Sequence, residues 1–134
     1  MSEQENTELV QRAYGYFQSG DIPALLDSLS EDVEWQLPEV EDVPTAGRWH
    51  GREHVGQFFQ ALSDTEEVRQ FEPREFVAQD DKVVALGHYA WQAKSTGREW
   101  ESDFVHVFTV RDGRITRFQE YMNTAAIVDA LRQG

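Results

Sequence analysis

The feature that most constrains the fold is a hairpin in the last third of the chain, WESDFVHVFTVRDGRITRFQEYM, at residues 100–122. Apolar and aromatic side chains run almost unbroken through residues 104–110, and Asp112-Gly113 separates them from a second apolar run. An Asp-Gly pair between two strand-like runs favours a hairpin, because Gly accepts the positive φ that such turns need. We therefore predict two long antiparallel strands joined by a type I turn, with Gly113 as a bulge residue and Val110 opposite Arg114.

This pairing brings a histidine and a carboxylate together on a face that should be buried. Side chains alternate along strands, so one face carries the following set: Phe104, His106, Phe108, Thr116, Phe118, Glu120 and Met122. His106 and Glu120 then lie diagonally across from each other. A buried carboxylate is costly unless it is paired or protonated, so the two could share a proton as an acid–base pair. Two alternatives stay open: His106 is a structural core residue, or the strand is shifted by one residue, with Gln119 inside and Glu120 exposed.

Periodicity places helices before most of the strands. Apolar residues spaced i, i+3, i+4 and i+7 predict a helix from about Thr7 to Ser19, a short second helix capped by Asp21, and a third helix after Gly51. The predicted strands cover Asp32 to Leu37, Phe71 to Gln79 (with Pro73 favouring a sheet edge), and Lys82 to Ala93; residues 38–48 form a loop, residues 63–68 a connection, and Asn123 or Thr124 caps a last helix. This order indicates a single α+β domain over residues 1–134, with helices on one face of the sheet.

Composition excludes several classes of function. The net charge of −13 argues against nucleic acid, whose binding depends on Lys and Arg. The chain has no Cys, which suits a reducing compartment, and no apolar run close to the ~20 residues of a membrane span. We expect a soluble cytoplasmic protein without membrane association. The acidity indicates either a solvated surface or a salt-rich cytoplasm.

Short motifs along the whole chain resemble the SnoaL-like, ketosteroid isomerase-like branch of the nuclear transport factor 2 superfamily. They are Tyr14 and Phe17 before Gly20-Asp21, Glu31-Asp32-Val33, Trp49-His50-Gly51-Arg52-Glu53, Phe58-Phe59, Asp81-Lys82-Val83-Val84, Thr96-Gly97-Arg98, the run from Val107 to Ile115, Tyr121, and Ala125-Ala126. The resemblance implies a cone-shaped, strongly curved, mostly antiparallel sheet whose concave face is covered by the N-terminal helices and encloses a pocket. It also implies a homodimer through the outer face of the sheet. The fold hosts many activities and does not select one.

The resemblance also assigns site positions, and several of them lack the expected polar group. Leu37 matches the position of the isomerase's catalytic carboxylate, while Tyr14 and His106 match its two oxyanion donors. Of the three polar positions of the related epoxide hydrolases, Gly87 and Tyr89 replace two, and only Glu120 keeps a carboxylate. The cyclases of this type use a carboxylate base helped by histidine, a role open to His106 with Glu120 or Asp103, although Asp103 is out of phase with His106 and should point away.

These observations predict a pocket for a small hydrophobic or aromatic molecule. His106, Glu120 and Tyr14 are the candidate catalytic residues for a cofactor-independent cyclisation, isomerisation, dehydration or hydrolysis. The expected ligand contacts are Trp35, Leu37, Phe58, Phe59, Tyr89, Trp91, Phe104, Phe108, Phe118 and Met122. We expect no metal and no cofactor, with His50 and His54 on the surface. The alternative is a non-catalytic binding or accessory protein with the same pocket.

Overall fold

The computed structural model describes residues 2–132, which form an α+β fold. Its helices are α1 (Glu3–Ser19), α2 (Ile22–Asp27), α3 (Arg52–Thr65) and α4 (Thr124–Leu131). Its strands are β1 (Leu29–Gln36), β2 (Arg48–His50), β3 (Glu66–Gln79), β4 (Lys82–Ala93), β5 (Glu99–Arg111) and β6 (Arg114–Met122). The sheet has the order β2-β1-β6-β5-β4-β3 and is antiparallel throughout except between β1 and β6. The predicted fold class, a mostly antiparallel curved sheet with N-terminal helices, is confirmed.

Local sequence signals set the helix boundaries. α1 begins earlier than the expected Thr7, because Ser2 caps it and forms a capping box with Glu5. It ends at Gly20, whose φ of 78° is the left-handed conformation that favours glycine. Asp21 caps α2, as predicted, by accepting a hydrogen bond from the amide of Ala24. Among the described residues, no helix combines the length and the apolar character needed to cross a membrane.

The helices cover one face of the sheet, where alternate strand residues are buried. Along β4 this face carries Val83, Ala85, Tyr89, Trp91 and Ala93. On β1, Val33 and Trp35 point inward as predicted, and Leu37 just beyond the strand is also buried. α1 packs against β3 and β4, α3 against β1 and β2, and α4 against β5. The core therefore lies between the concave face of the sheet and the helices.

The connection expected at residues 63–68 does not exist. α3 continues to Thr65, and β3 starts at the next residue, where Glu66 pairs with Ala93. The acidic composition of this segment suggested solvent, but pairing with β4 turns Glu66 inward. β3 is the edge strand, as Pro73 indicated, and its register shifts next to that proline.

The hairpin between β5 and β6 exists, but its predicted register is wrong by one residue. Arg111 pairs with Arg114, and Asp112 and Gly113 both have positive φ (52° and 74°), which describes a two-residue type I′ turn. The bulge lies at Thr116 instead of Gly113, because the register shifts by one residue between Val110 and Thr109. The predicted inward side chains are kept except at the bulge, where Ile115 is buried in place of the expected Thr116. His106 lies directly opposite Glu120 instead of diagonally.

Candidate functional site

A cavity of about 120 Å³ lies between the concave face of the sheet and the helices. Nine of the ten predicted ligand contacts are on its wall: Trp35, Leu37, Phe58, Phe59, Tyr89, Trp91, Phe108, Phe118 and Met122. Val40 and Val43 from the loop after β1 and Ile127 from α4 complete the apolar surface. The volume approaches the roughly 150 Å³ of an apolar cavity that admits benzene. The size and the lining therefore suit a single aromatic ring.

His106 and Glu120 meet on this wall, on neighbouring strands. His106 Nε2 lies 2.7 Å from Glu120 Oε2, and the two side chains are only 5% and 14% exposed. Both residues contact the cavity. Glu120 is therefore the inward residue, and the alternative with Gln119 inside is wrong. A charge-assisted hydrogen bond of this length in a buried site supplies the pairing that a buried carboxylate needs.

Tyr14 of α1 fixes the tautomer of His106. Its hydroxyl oxygen lies 2.7 Å from His106 Nδ1 and makes no other hydrogen bond within residues 2–132. Burial, and then the negative charge of Glu120, raise the pKa of Tyr14 well above its usual range, so the hydroxyl keeps its proton and donates it to Nδ1. With Nδ1 as acceptor, the imidazole of His106 is neutral and donates from Nε2 to Glu120. The three side chains thus form one directed chain of hydrogen bonds.

The two tyrosines near this pair have different positions. Tyr14 is not on the cavity wall; it lies behind His106, with its hydroxyl directed at the imidazole. This position differs from the expected one, in which Tyr14 donates to an oxygen of the ligand. Tyr89 of β4 does line the cavity. Burial, followed by the charge of Glu120, raises the pKa of Tyr89 above its usual range, so its hydroxyl is a neutral donor beside the carboxylate.

Phe104 was expected to contact ligand, but it lies beneath the wall and supports His106. Its ring stacks on the imidazole with centroids 4.2 Å apart and an interplanar angle of 23°. The opposite residue on β4 is Gly87, and a Cβ there would come within 2.4 Å of both the Phe104 ring and the carbonyl oxygen of Glu72. Gly87 therefore leaves the space that Phe104 occupies. The resemblance to the epoxide hydrolases leads one to expect a polar residue at position 87. The packing of Phe104 explains why a glycine is found there instead.

Sequence reasoning missed one charged residue of the cavity, Glu66. It is 5% exposed and lines the wall at the start of β3. Its Oε1 accepts a hydrogen bond of 2.9 Å from Trp100 Nε1. Burial raises the pKa of Glu66, and the hydrogen bond from Trp100 partly opposes this effect. Glu66 could have been identified only by predicting that β3 begins at this residue. The neighbouring acidic residues Asp64 and Glu67 instead made the segment resemble an exposed connection.

The two histidines near α3 are on the surface. His50 Nδ1 lies 2.8 Å from Glu34 Oε1, and both side chains are largely exposed. The backbone amide of His50 donates to His54 Nδ1. Over residues 2–132, no three potential metal ligands converge.

Comparisons with known proteins identify the family to which this chain belongs. The SnoaL-like domain family matches residues 10–118. An NTF2-like protein from Burkholderia xenovorans LB400 is 36% identical, with a TM-score of 0.90 over 98% of this chain and 99% of that one. An NTF2-like protein of unknown function from Burkholderia pseudomallei K96243 is 29% identical, with a TM-score of 0.89 over 99% and 100% of the two chains.

A third similar structure is that of TerC co-crystallised with polyporic acid. It is 29% identical, with a TM-score of 0.81 over 94% of this chain and 97% of that one. No match is found among the curated proteins. The family match covers most of the chain, and the structural matches span nearly all of it, so the resemblance drawn from the motifs is confirmed. The chain belongs to the SnoaL-like domain family and has the NTF2-like fold.

Proposed function

We propose that this protein binds a small, flat, largely apolar molecule in its cavity and moves a proton on it without a cofactor. The observation that carries this proposal is the 2.7 Å contact between His106 and Glu120 on the wall of an otherwise aromatic cavity. A buried acid–base pair in the main cavity of a protein is a common arrangement for proton transfer. The reaction class is a cyclisation, an isomerisation, a dehydration or a hydrolysis.

Glu120 is the base in this proposal, because both ring nitrogens of His106 are engaged. Nδ1 accepts from Tyr14, and Nε2 donates to Glu120 Oε2, which leaves Oε1 of the carboxylate to take a proton. A C–H or O–H bond of the ligand breaks, the proton moves to Glu120, and the electron pair stays on the ligand. Return of the proton to another ligand atom completes an isomerisation. Ring closure by the same anion, with the proton returned from Glu120 to the new alkoxide, gives a cyclisation. Departure of a hydroxyl group that receives the proton from Glu120 gives a dehydration. In a hydrolysis, Glu120 takes the proton from a water molecule that attacks the ligand, and returns it to the leaving group.

The surrounding residues position this pair. Tyr14 holds the tautomer of His106, and Phe104 holds the plane of its ring. Tyr89 lines the cavity with its neutral hydroxyl directed at Glu120, and rotation of that hydroxyl toward the ligand lets it donate to an oxygen on which negative charge develops. A neutral donor in a buried site stabilises an oxyanion without neutralising the adjacent base.

A similar protein supports the ligand-binding part of the proposal. TerC, 29% identical over 94% of this chain, was co-crystallised with polyporic acid. A protein of the same fold has therefore been crystallised together with a small molecule, as the proposal requires of this chain.

One observation favours a second candidate function, binding without turnover. Leu37 is buried on the cavity wall where the resemblance to the isomerases expects the catalytic carboxylate. A hydrocarbon side chain cannot take a proton. The same cavity could then serve a carrier or accessory protein.

Deuterium exchange into an enolisable probe tests the proposal without knowledge of the natural substrate. Acetophenone has one aromatic ring and an acidic methyl ketone, and a base in the cavity should exchange its methyl protons in D₂O, as followed by proton NMR. We expect the wild-type protein to accelerate exchange and Glu120→Gln to lose about a hundredfold of that acceleration. Asp103→Asn is the matched control, because Asp103 is on the same strand as His106 but its side chain is 89% exposed on the outer face.

The variant separates chemistry from folding. The amide oxygen of Glu120→Gln can still accept from His106 Nε2, so the free energy of unfolding should change by only about 1 kcal/mol. Exchange at the wild-type rate in this variant would contradict the assignment of Glu120 as base. Binding of acetophenone with no exchange by the wild-type protein would support the second candidate. Absence of binding would contradict both.

We also propose that the protein forms a homodimer through the outer face of the sheet. Val77 on β3 and Tyr121 on β6 are large apolar side chains that are about half exposed on this face, opposite Val84 and Val105. Light scattering after gel filtration should give twice the monomer mass, and Val77→Lys should reduce it to the monomer mass. A wild-type monomer at micromolar concentration would contradict this proposal.

A further inference from the structure

The cavity wall carries three polar atoms that the proposed proton transfer does not use. Glu66 Oε2, Trp91 Nε1 and Trp35 Nε1 are each buried and make no hydrogen bond within the described chain. All three side chains line the cavity. Buried polar groups in proteins are almost always bonded to something, so atoms of this kind on a cavity wall indicate where a ligand supplies the partner.

Two of these atoms belong to one corner of the cavity, built by three adjacent strands. Glu66 on β3 pairs with Ala93 and is therefore diagonal to Trp91 on β4. Trp91 lies opposite Trp100 on β5, and their indole planes are within 20° of parallel. Trp100 Nε1 donates to Glu66 Oε1 at 2.9 Å. This bond fixes the carboxyl group and leaves its second oxygen without a partner, two strand positions from Trp91, whose N–H is also unpartnered.

We propose that Glu66 and Trp91 form a second polar subsite of the cavity, which binds a hydroxyl group on the ring of the ligand. In this subsite the Trp91 N–H donates to the hydroxyl oxygen, and the hydroxyl hydrogen is donated to Glu66 Oε2. One group thereby satisfies both unpartnered atoms. The inference rests on the proposed function, because it describes how the same cavity orients the molecule that reaches Glu120.

The cavity side of this corner disfavours an anionic group, although Arg69 and Lys94 lie in a separate groove that Glu66 and Trp91 also border. The residues that line the cavity in residues 2–132 include two carboxyl groups, Glu66 and Glu120, and no Lys or Arg. A carboxylate or phosphate on the ligand would therefore meet negative charge with no compensating cation. A bare carbonyl could accept from Trp91 but would leave Glu66 Oε2 without a donor. A hydroxyl is the smallest neutral group that supplies both a donor and an acceptor.

The subsite would also orient the ligand relative to the reacting pair. The aromatic ring of Tyr89 contacts the rings of both Trp91 and Trp100, with centroids 5.7 Å away in each case, and its hydroxyl is at the Glu120 side. Tyr89 thus lies between the two polar regions. A hydroxyl bound at Glu66 holds one edge of the ring and turns the opposite edge toward Glu120.

The test compares two probes that differ by the hydroxyl alone, p-cresol and toluene, by NMR titration of the full chain. The measured quantity is the dissociation constant of toluene divided by that of p-cresol. A substitution that only changes the size of the cavity affects both constants alike and leaves this ratio unchanged. We expect the wild-type protein to bind p-cresol about tenfold more tightly than toluene. Trp91→Phe, which removes the N–H, and Glu66→Gln, which keeps an acceptor for Trp100, should each lower that ratio about fivefold.

Two controls make the result specific. Glu67→Gln changes the neighbouring exposed carboxylate on the same strand and should leave the ratio unchanged. Asp103→Asn changes an exposed carboxylate on the outer face of β5 and should also leave the ratio unchanged. A preference that depends on Glu66 and Trp91 but on neither exposed carboxylate would support the subsite.

The negative results are distinguishable. If both probes bind but the wild-type ratio is close to one, or if neither Trp91→Phe nor Glu66→Gln changes it, the subsite is overturned and the proposed function stands. If neither probe binds, the ligand cavity itself is contradicted, and the subsite falls with it.

Discussion

Two tyrosines, Tyr14 and Tyr89, are buried beside the carboxylate of Glu120, and their protonation ties the site to the stability of the fold. Burial raises the pKa of both, and the charge of Glu120 raises it further. In the unfolded chain each phenol returns to its ordinary pKa of about 10. The folded protein therefore keeps two protons that the unfolded chain loses in alkali.

This difference predicts an alkaline loss of stability. Below about pH 10 both states hold the protons and the contribution is complete. Above that pH the unfolded chain releases them, and the free energy of unfolding falls by up to about 1.4 kcal/mol per pH unit for each tyrosine. Urea unfolding between pH 8 and 11.5 should show that the free energy of unfolding falls less steeply with pH in Tyr14→Phe than in the wild-type protein. The difference in slope should be at most about 1.4 kcal/mol per pH unit, the contribution of one tyrosine. Equal slopes in the two proteins would contradict the role given to Tyr14.

The sequence predicted the face shared by His106 and Glu120, because the expected and observed pairings of His106 differ by two residues, and a two-residue shift keeps each side chain on its face. It did not predict their direct opposition, since that depends on Asp112 adopting a positive φ and moving the bulge away from Gly113. The direction of the Tyr14 hydroxyl depends on how α1 docks on the sheet. How a helix packs on a sheet depends on contacts between residues far apart in the sequence, and local residue patterns do not predict such contacts.

At the level of elements, the pairing of β4 with β5 holds the site together at Gly87 and Phe104. The aromatic ring lies over the glycine and supports the imidazole of His106. Any side chain at position 87 would collide with backbone as well as with this ring. The central strands therefore form a rigid support for the reacting pair.

We predict that Gly87→Ala destabilises the protein by about 1–3 kcal/mol, as overpacking of a core does. The added methyl group must displace Phe104 or β3, so the variant should also slow deuterium exchange in acetophenone. The measurements are urea unfolding and the exchange rate.

The matched control is Gly15→Ala. Gly15 is in the exposed part of α1, and a Cβ there meets nothing within 4 Å. This change should raise the free energy of unfolding by about 0.5–1 kcal/mol, because alanine favours a helix. Gly87→Ala with stability equal to or above that of the wild-type protein would contradict the packing argument.

Elements with strong local signals were predicted best. β4 has the expected bounds, Asp21 caps α2 as predicted, and Asn123, one of the two residues proposed for the cap of α4, is the one that caps it. β2 was missed, since three residues that pair with β1 carry no pattern of their own. The parallel pairing of β1 with β6 joins distant parts of the chain and has no local signature. The family resemblance, unlike periodicity, supplied the curvature of the sheet.

At the level of the whole molecule, the cavity exists because the curved sheet and the helices leave a space that aromatic side chains surround without filling. Residues from β1, β4, β5, β6, α1, α3 and α4 all line it. No single segment of sequence defines this space, so its volume could not be predicted from patterns. The aromatic composition of the inward faces did predict its chemical character.

The methyl group of Met122 offers the most direct test of a ligand in this cavity. Met122 is one of only two methionines in the chain and lines the cavity on the same strand as Glu120. In protein labelled with ¹³C-methyl methionine, titration with acetophenone should shift the Met122 signal to saturation and give intermolecular NOEs from this methyl group to the aromatic ring. An unmoved Met122 signal with no such NOE, at concentrations that saturate any binding seen by calorimetry, would contradict the account.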